Sequence, residues 1–167
     1  MTEVNLSGLD TSNVKDISFM FNDCTYLTKI NFSGFNTSNV MYMHDMFDCC
    51  ESLEDLDLSG WDVHNVINMK FMFWNCIRLA KLNLSGWDVR NVSNMRFMFW
   101  ECKSLKDLNV TGWIMPNITD MTGMFTNCDN LKILPNWYKN PLKENKLNFN
   151  PIDYSDDEND IINNQTV

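Results

Sequence analysis

Two hydrophobic periods alternate along the chain. In Leu56-Asp57-Leu58 apolar and polar residues exchange every second position, whereas Met69, Met72, Phe73 and Cys76 fall three, one and three apart. The first pattern predicts a short strand with Asp57 turned outward, and the second places four side chains on one side of a helical or 3₁₀ turn. Gly60 supplies the bend that leaves the strand, and Val66 to Met69 form a second extended or turn segment. The whole pattern then recurs. Gly stands at 8, 34, 60, 86 and 112 and Cys at 24, 50, 76, 102 and 128, both series stepping by 26. Asn13, Asn39, Asn65, Asn91 and Asn117 are each followed by Val or Ile, and Met-Phe pairs begin at 20, 46, 72, 98 and 124. Five units, 4–29, 30–55, 56–81, 82–107 and 108–133, succeed one another without insertion.

A constant unit length predicts one coil stacked on the next, because an insertion would throw the columns out of line. The expected product is a repeat solenoid with short parallel strands about 4.8 Å apart. Its ends differ from its middle. The first unit has Leu9 where later ones have Phe or Trp, and the fifth has Ile114-Met115-Pro116 in place of an Asp-containing corner. Pro135 removes the backbone donor that a sixth strand would need, and Trp137 and Tyr138 are placed to cover the apolar end. Residues 1–138 therefore read as the repeat domain, with 134–138 as its C-terminal cap. Residues 139–167 read as an acidic, Asn-rich tail, extended or disordered.

The unit Leu-x-Leu-Ser-Gly-Trp-Asp-x-x-Asn-Val-x-x-Met-x-x-Met-Phe-x-x-Cys-x-x-Leu resembles that of the BspA-like leucine-rich repeat surface proteins, including the related repeat of mycoplasma surface lipoproteins. The resemblance covers residues 4–138. It implies a leucine-rich-repeat-like, right-handed parallel β-solenoid with one helical or 3₁₀ turn per coil, displayed on the cell surface or secreted and used in adhesion or recognition. General leucine-rich repeats place Asn or Cys three residues after Leu-x-Leu; here Trp61, Trp87 and Trp113 stand there, and the Asn ladder has moved to positions such as Asn65. The first eight residues show neither the basic region nor the apolar run of a signal peptide.

Charge narrows the function. Acidic residues outnumber basic ones 22 to 13, and five acids (Asp153, Asp156, Asp157, Glu158, Asp160) sit in one C-terminal run, a field that repels nucleic acid and anionic membranes. No stretch approaches the roughly 18 apolar residues of a membrane span. The two His, His44 and His64, fall at different repeat positions, and no Ser-His-Asp set, paired carboxylate or phosphate loop is identifiable, so neither an enzyme nor a cofactor is expected. Zinc wants ligands converging in a tetrahedron, whereas Cys at intervals of 26 gives only a straight ladder, and no metal site is expected. The columnar thiols read as small apolar fillers. Cys49 lies outside the column, as a surface thiol or an intermolecular bridge, and is expected to react first. The Asn ladder is expected inside, bonding amide to amide and to corner backbone, with the eight Asn-x-Ser/Thr sequons as by-products of the repeat.

Specificity then falls to the variable outward positions. Units three and four carry Lys70, Phe71 and Trp74 beside Arg96, Phe97 and Trp100. Unit two has His44, Asp45 and Asp48 at those places, unit five has Thr122, Gly123 and Thr126, and unit one, alone of these three, keeps a Phe there, Phe19. Exposed rings flanked by cations suit a protein or glycan partner with apolar or sugar-ring faces and acidic rims. The competing reading is local packing of ring on ring in a structural spacer or self-associating module.

Overall fold

The computed structural model describes residues 1–116 and 119–139. Each unit contributes one three-residue strand: β1 (Glu3–Asn5), β2 (Lys29–Asn31), β3 (Asp55–Asp57), β4 (Lys81–Asn83) and β5 (Asp107–Asn109). All pairings are parallel and in register across one unit, as in Leu56 opposite Leu82 opposite Leu108. The central residue of each strand faces inward and its neighbours outward, the alternation that Leu56-Asp57-Leu58 predicts. The strands form two sheets, β1-β2 and β3-β4-β5. The break falls where Phe32 takes the column held by Leu6, Leu58 and Leu84, its ring lying edge-on to Trp61 and Phe47.

A second wall runs unbroken through all five units. Between units three and four the amides of Met69, Phe71, Phe73 and Asn75 donate to the carbonyls of Asn94, Arg96, Met98 and Trp100. The same four bonds recur at every junction, from Ile17→Tyr42 to Glu101→Thr126. The alternate amides turn back three residues within their own unit, as Met72→Met69, Trp74→Phe71 and Cys76→Phe73. This division explains why the expected helical or 3₁₀ turn does not form. Left-handed φ at Phe71 (58°) and Asn75 (55°), and at the equivalent places in the other units, turns every second amide out of the helical path and toward the next unit. Among the described residues there is no helix, and none long and apolar enough to cross a membrane.

Aromatic rings fill the interior in columns. Phe21, Phe47, Phe73, Phe99 and Phe125 stack with centroids 5.2–5.7 Å apart and interplanar angles of 13° or less. Phe35, Trp61, Trp87 and Trp113 form a second column at the corner, which Trp137 extends at 5.8 Å. Centroid separations wider than the strand spacing mean the rings are offset, the arrangement that their quadrupoles favour. Tyr138 stands edge-on to Phe125 at 4.8 Å.

Inward polar atoms are satisfied by one device used twice. The indole N–H of Trp87 donates to the Leu58 carbonyl at 2.8 Å, and that carbonyl also closes its own turn by accepting from the Trp61 amide. The Cys76 thiol does the same to Phe47 O at 3.1 Å, which already accepts the Cys50 amide. Both lone pairs of each carbonyl are used, so burial leaves neither donor nor acceptor orphaned. The columnar Cys are therefore weak donors as well as fillers. All six Cys are free thiols.

Three Asx corners complete the unit. In every unit the strand-end Asn or Asp accepts the amide two residues on, as Asp57 does from Ser59 and Asn83 from Ser85. Asp10, Asn36, Asp62 and Asp88 form the second corner, and Asp16, Asn68, Asn94 and Asp120 the third. An Asx residue can mimic a turn with its own side chain, which is why Asn-x-Ser recurs at strand ends. The Asn ladder bonds to corner backbone, as expected, but lies outside the core and does not bond amide to amide. Asn39, Asn65 and Asn91 lie at the surface or half-buried, and each side-chain amide donates to a carbonyl of the preceding unit: Ser12, Ser38 and His64. Amide-to-amide bonding occurs instead in the strand column, from Asn31 to Asn5. Beyond Lys139 the expected tail lies outside the described residues.

Candidate functional site

The left-handed backbone at the outer turn aims side chains away from the core, and in units three and four it aims rings. Phe71 and Phe97, with φ of 58° and 56°, stack at 5.2 Å and 9°. Trp74 lies over Phe71 at 4.6 Å, and Trp100 stands edge-on to Phe97 at 5.3 Å. The Lys70 ammonium is 4.8 Å from the Phe71 ring centre and the Arg96 guanidinium 5.6 Å from that of Phe97, both within cation-π range. The structure thus brings all six sequence-predicted residues onto one ledge.

Their exposure is another matter. Phe97 is 0% exposed, Phe71 4% and Trp100 8%; these three form a satellite core with Trp74 packed half-buried against it. The expectation of exposed rings is corrected for these three. Their burial has a visible cause in the fifth unit. A Cβ at Gly123 would meet the Phe97 ring at 2.4 Å, so the absence of a side chain there lets unit four lay its ring over unit five. Surface contact on the ledge falls to Lys70, Trp74 and Arg96, all half-buried, with Asp120 3.8 Å from Arg96.

Unit two presents the opposite chemistry in the same columns. His44 Nδ1 and Asp45 Oδ2 are 2.9 Å apart, and Asn22 Nδ2 donates to Asp48 Oδ2 at 2.9 Å. Burial, with repulsion from Asp45 and Asp23, pushes the Asp48 carboxyl up to about 6. Burial also pushes the Cys49 thiol up to about 12, and Asn75 Nδ2 lies 3.5 Å from its sulfur. The thiol expected to react first is therefore held protonated and half-covered. Cys50 and Cys128 are likewise pushed up to about 12, and Cys76 and Cys102 well above the ordinary thiol range, all chiefly by burial. Among the described residues no three His, Cys, Asp or Glu side chains are gathered so as to hold a metal ion.

The sequence reading missed the acid group of unit two as a feature in its own right. Its signal was the exchange of ring for carboxylate in one column: Asp45 against Phe71, Asp48 against Trp74.

The model of the family described as "Mycoplasma protein of unknown function, DUF285" matches this chain twice, over residues 1–108 and 31–138. Two overlapping placements are what a repeated unit produces. No curated protein and no solved structure matches.

Proposed function

As the chain belongs to the DUF285 family of mycoplasma proteins, its activity has to be read from its surface, and we propose a non-catalytic recognition or adhesion module on a BspA-like, leucine-rich-repeat-like right-handed β-solenoid. The parallel pairing of strand residues with their counterparts 26 positions on supports the solenoid, and the ledge of units three and four is the proposed contact surface. The observation that carries the site is where the rings stand. Left-handed φ costs a residue with a Cβ about 1–2 kcal/mol, and neighbouring units place Asp45 and Gly123 in that column. The fold does not require Phe71 and Phe97 there. Trp74, Lys70 and Arg96 present ring surface and positive charge to a protein or glycan that offers an apolar or sugar-ring face with an acidic rim.

The burial of Phe71, Phe97 and Trp100 favours a second reading, a structural spacer whose ledge only clamps units three to five together. A pull-down from surface extracts with wild type against a Lys70→Glu, Trp74→Thr chain separates the two. Recognition predicts captured species that the variant loses while its melting temperature stays within about 5 °C, a shift worth roughly 1 kcal/mol. Equal capture by both chains moves the site off the ledge, and a large fall in melting temperature with no capture by either makes the ledge packing.

A further inference from the structure

The strand ladder stops at β5 with its far edge open. The Leu58 and Leu84 amides donate forward to the Asn83 and Asn109 carbonyls, but the amide of Val110, the next residue in that series, meets no acceptor among the described residues. The Gly112 amide, counterpart of the one that Gly86 gives to Thr111, is in the same condition. A period of 26 would bring Ile133, Leu134 and Pro135 beside Asp107, Leu108 and Asn109. Pro135 has no amide to enter a ladder, and residues 131–136 form no strand. They stand off instead. Between them and β5 lies a cleft of about 480 Å³, walled by Leu108 and Val110 on one side and by Leu131, Ile133 and Leu134 on the other. Ile133 is 83% exposed, more than any other large apolar side chain among the described residues. An open strand edge beside uncovered apolar surface is a template for an added strand.

The columns of the sheet state what that strand must carry. Outward residues opposite one another read Glu3, Lys29, Asp55, Lys81 and Asp107, changing sign at every unit. Opposite charges on adjacent strands attract and like charges repel, so the place beside Asp107 favours a cation. One position earlier Lys106 favours an acid. Leu108 calls for an apolar residue turned inward, and Asn109 for an Asn, which can bond amide to amide as Asn31 does to Asn5 at 3.1 Å. A second copy is the poorer occupant, because its own open strand, β1, would set Glu3 against Asp107 in this register.

We propose that the cleft takes an extended segment of a partner protein as a sixth strand, parallel to β5, with the order acid, cation, apolar, Asn facing Lys106, Asp107, Leu108 and Asn109. This is a second contact surface, separate from the ledge, and its success or failure leaves the ledge reading untouched.

The test titrates the isotope-labelled full chain with the acetylated peptide Glu-Lys-Leu-Asn-Leu-Ser and, as a control of identical composition, Lys-Glu-Leu-Asn-Leu-Ser. The first should give saturable amide shifts confined to residues 106–112 and 131–136, with a Kd on the order of 1 mM or tighter, and should slow hydrogen exchange at Val110. The control should bind about tenfold more weakly, since it sets like charges against Lys106 and Asp107. Exchanging those two residues (Lys106→Asp, Asp107→Lys) should reverse the preference, and both positions are exposed, so the fold tolerates the exchange. Equal binding of both peptides, shifts elsewhere on the chain, or no saturation up to about 10 mM would each overturn the proposal. A Val110 amide already slow to exchange without peptide would overturn it too, by showing the cleft filled by this chain or by a second copy.

Discussion

The inner and outer ring stacks are built on the same turn and differ in what surrounds them. The inner column, Phe21 to Phe125, is occupied in all five units, and each of its middle members is clasped on both sides by another Phe. The outer stack has rings at Phe71 and Phe97, then ends on Asp45 in one direction and Gly123 in the other. Inner rings gain contact by repetition. Outer rings are buried by particular neighbours: Lys70 and Arg96 above them, Trp74 and Trp100 beside them, and an empty Cβ position ahead. Repetition thus makes a column general, whereas local exceptions make a ledge specific to two units.

The sharpest way to break this contrast is to empty one place in each stack. Phe73→Ala should lose about 3–5 kcal/mol in chemical denaturation, the cost of an unfilled aromatic hole between Phe47 and Phe99. Phe71→Gly should lose only about 1–2 kcal/mol, because relief of the left-handed φ offsets part of the lost ring contact. Equal losses would make the outer stack as much a part of the core as the inner one.

A smaller effect is expected where the ledge gives way to acids. The Asp48 carboxyl in the folded chain titrates near 6, above its ordinary 3.8, so between those values the native state holds more proton than the unfolded one. Its contribution is therefore complete below about pH 4 and is lost as pH rises through about 6. Asp48→Asn should match wild type near pH 4 and exceed it by about 1–2 kcal/mol at pH 7, the full shift being discounted for partial solvent contact. Parallel stability curves for the two proteins across that range would show that the carboxylate is solvated.

The smallest effect separates inner and outer thiols by rate alone. Thiol reagent at pH 8 should label half-buried Cys24 first, in the first unit where no unit packs on its N-terminal side among the described residues. Cys49 should lag, and Cys76 and Cys102 should wait for unfolding. Prompt labelling of Cys49 would place its sulfur in solvent and remove the cover that Asn75 provides.

The repeat period, the inward columns and the parallel register were legible because each column repeats a side chain of one kind, and stacking at a fixed interval follows directly. The Asx corners were also written out, often as Asn or Asp two residues before Ser, but five of these sites (Asn5, Asn31, Asn36, Asn83, Asn109) read as sequons and the turn chemistry went unnoticed. The left-handed positions were not legible. Phe19, Phe71, Phe97 and Glu101 are residues that a positive φ disfavours, and only the pull of the next unit's carbonyl fixes them there. Ring burial on the ledge was legible only as the competing reading, ring packed on ring, and for a related reason the sequence did not decide it. An outward position predicts solvent, but whether an outward ring lies flat on its neighbour was decided by the glycine at 123, one unit away.

The wall of sixteen turn-side bonds, four at each of four junctions, all point one way: each amide faces the later unit and each carbonyl the earlier. Such a wall is an electrical arrow. Its negative pole lies at the carbonyls of Asp16, Ser18, Met20 and Asn22, its positive pole at the amides of the fifth unit, the reverse of an α-helix read from N to C. Two copies brought together first unit to first unit would set carbonyl against carbonyl along this wall, so a symmetric end-to-end dimer gains nothing there. A duplicated unit, by contrast, can enter at any junction and find acceptors ahead and donors behind, which makes the chain extensible in length without altering either face it presents.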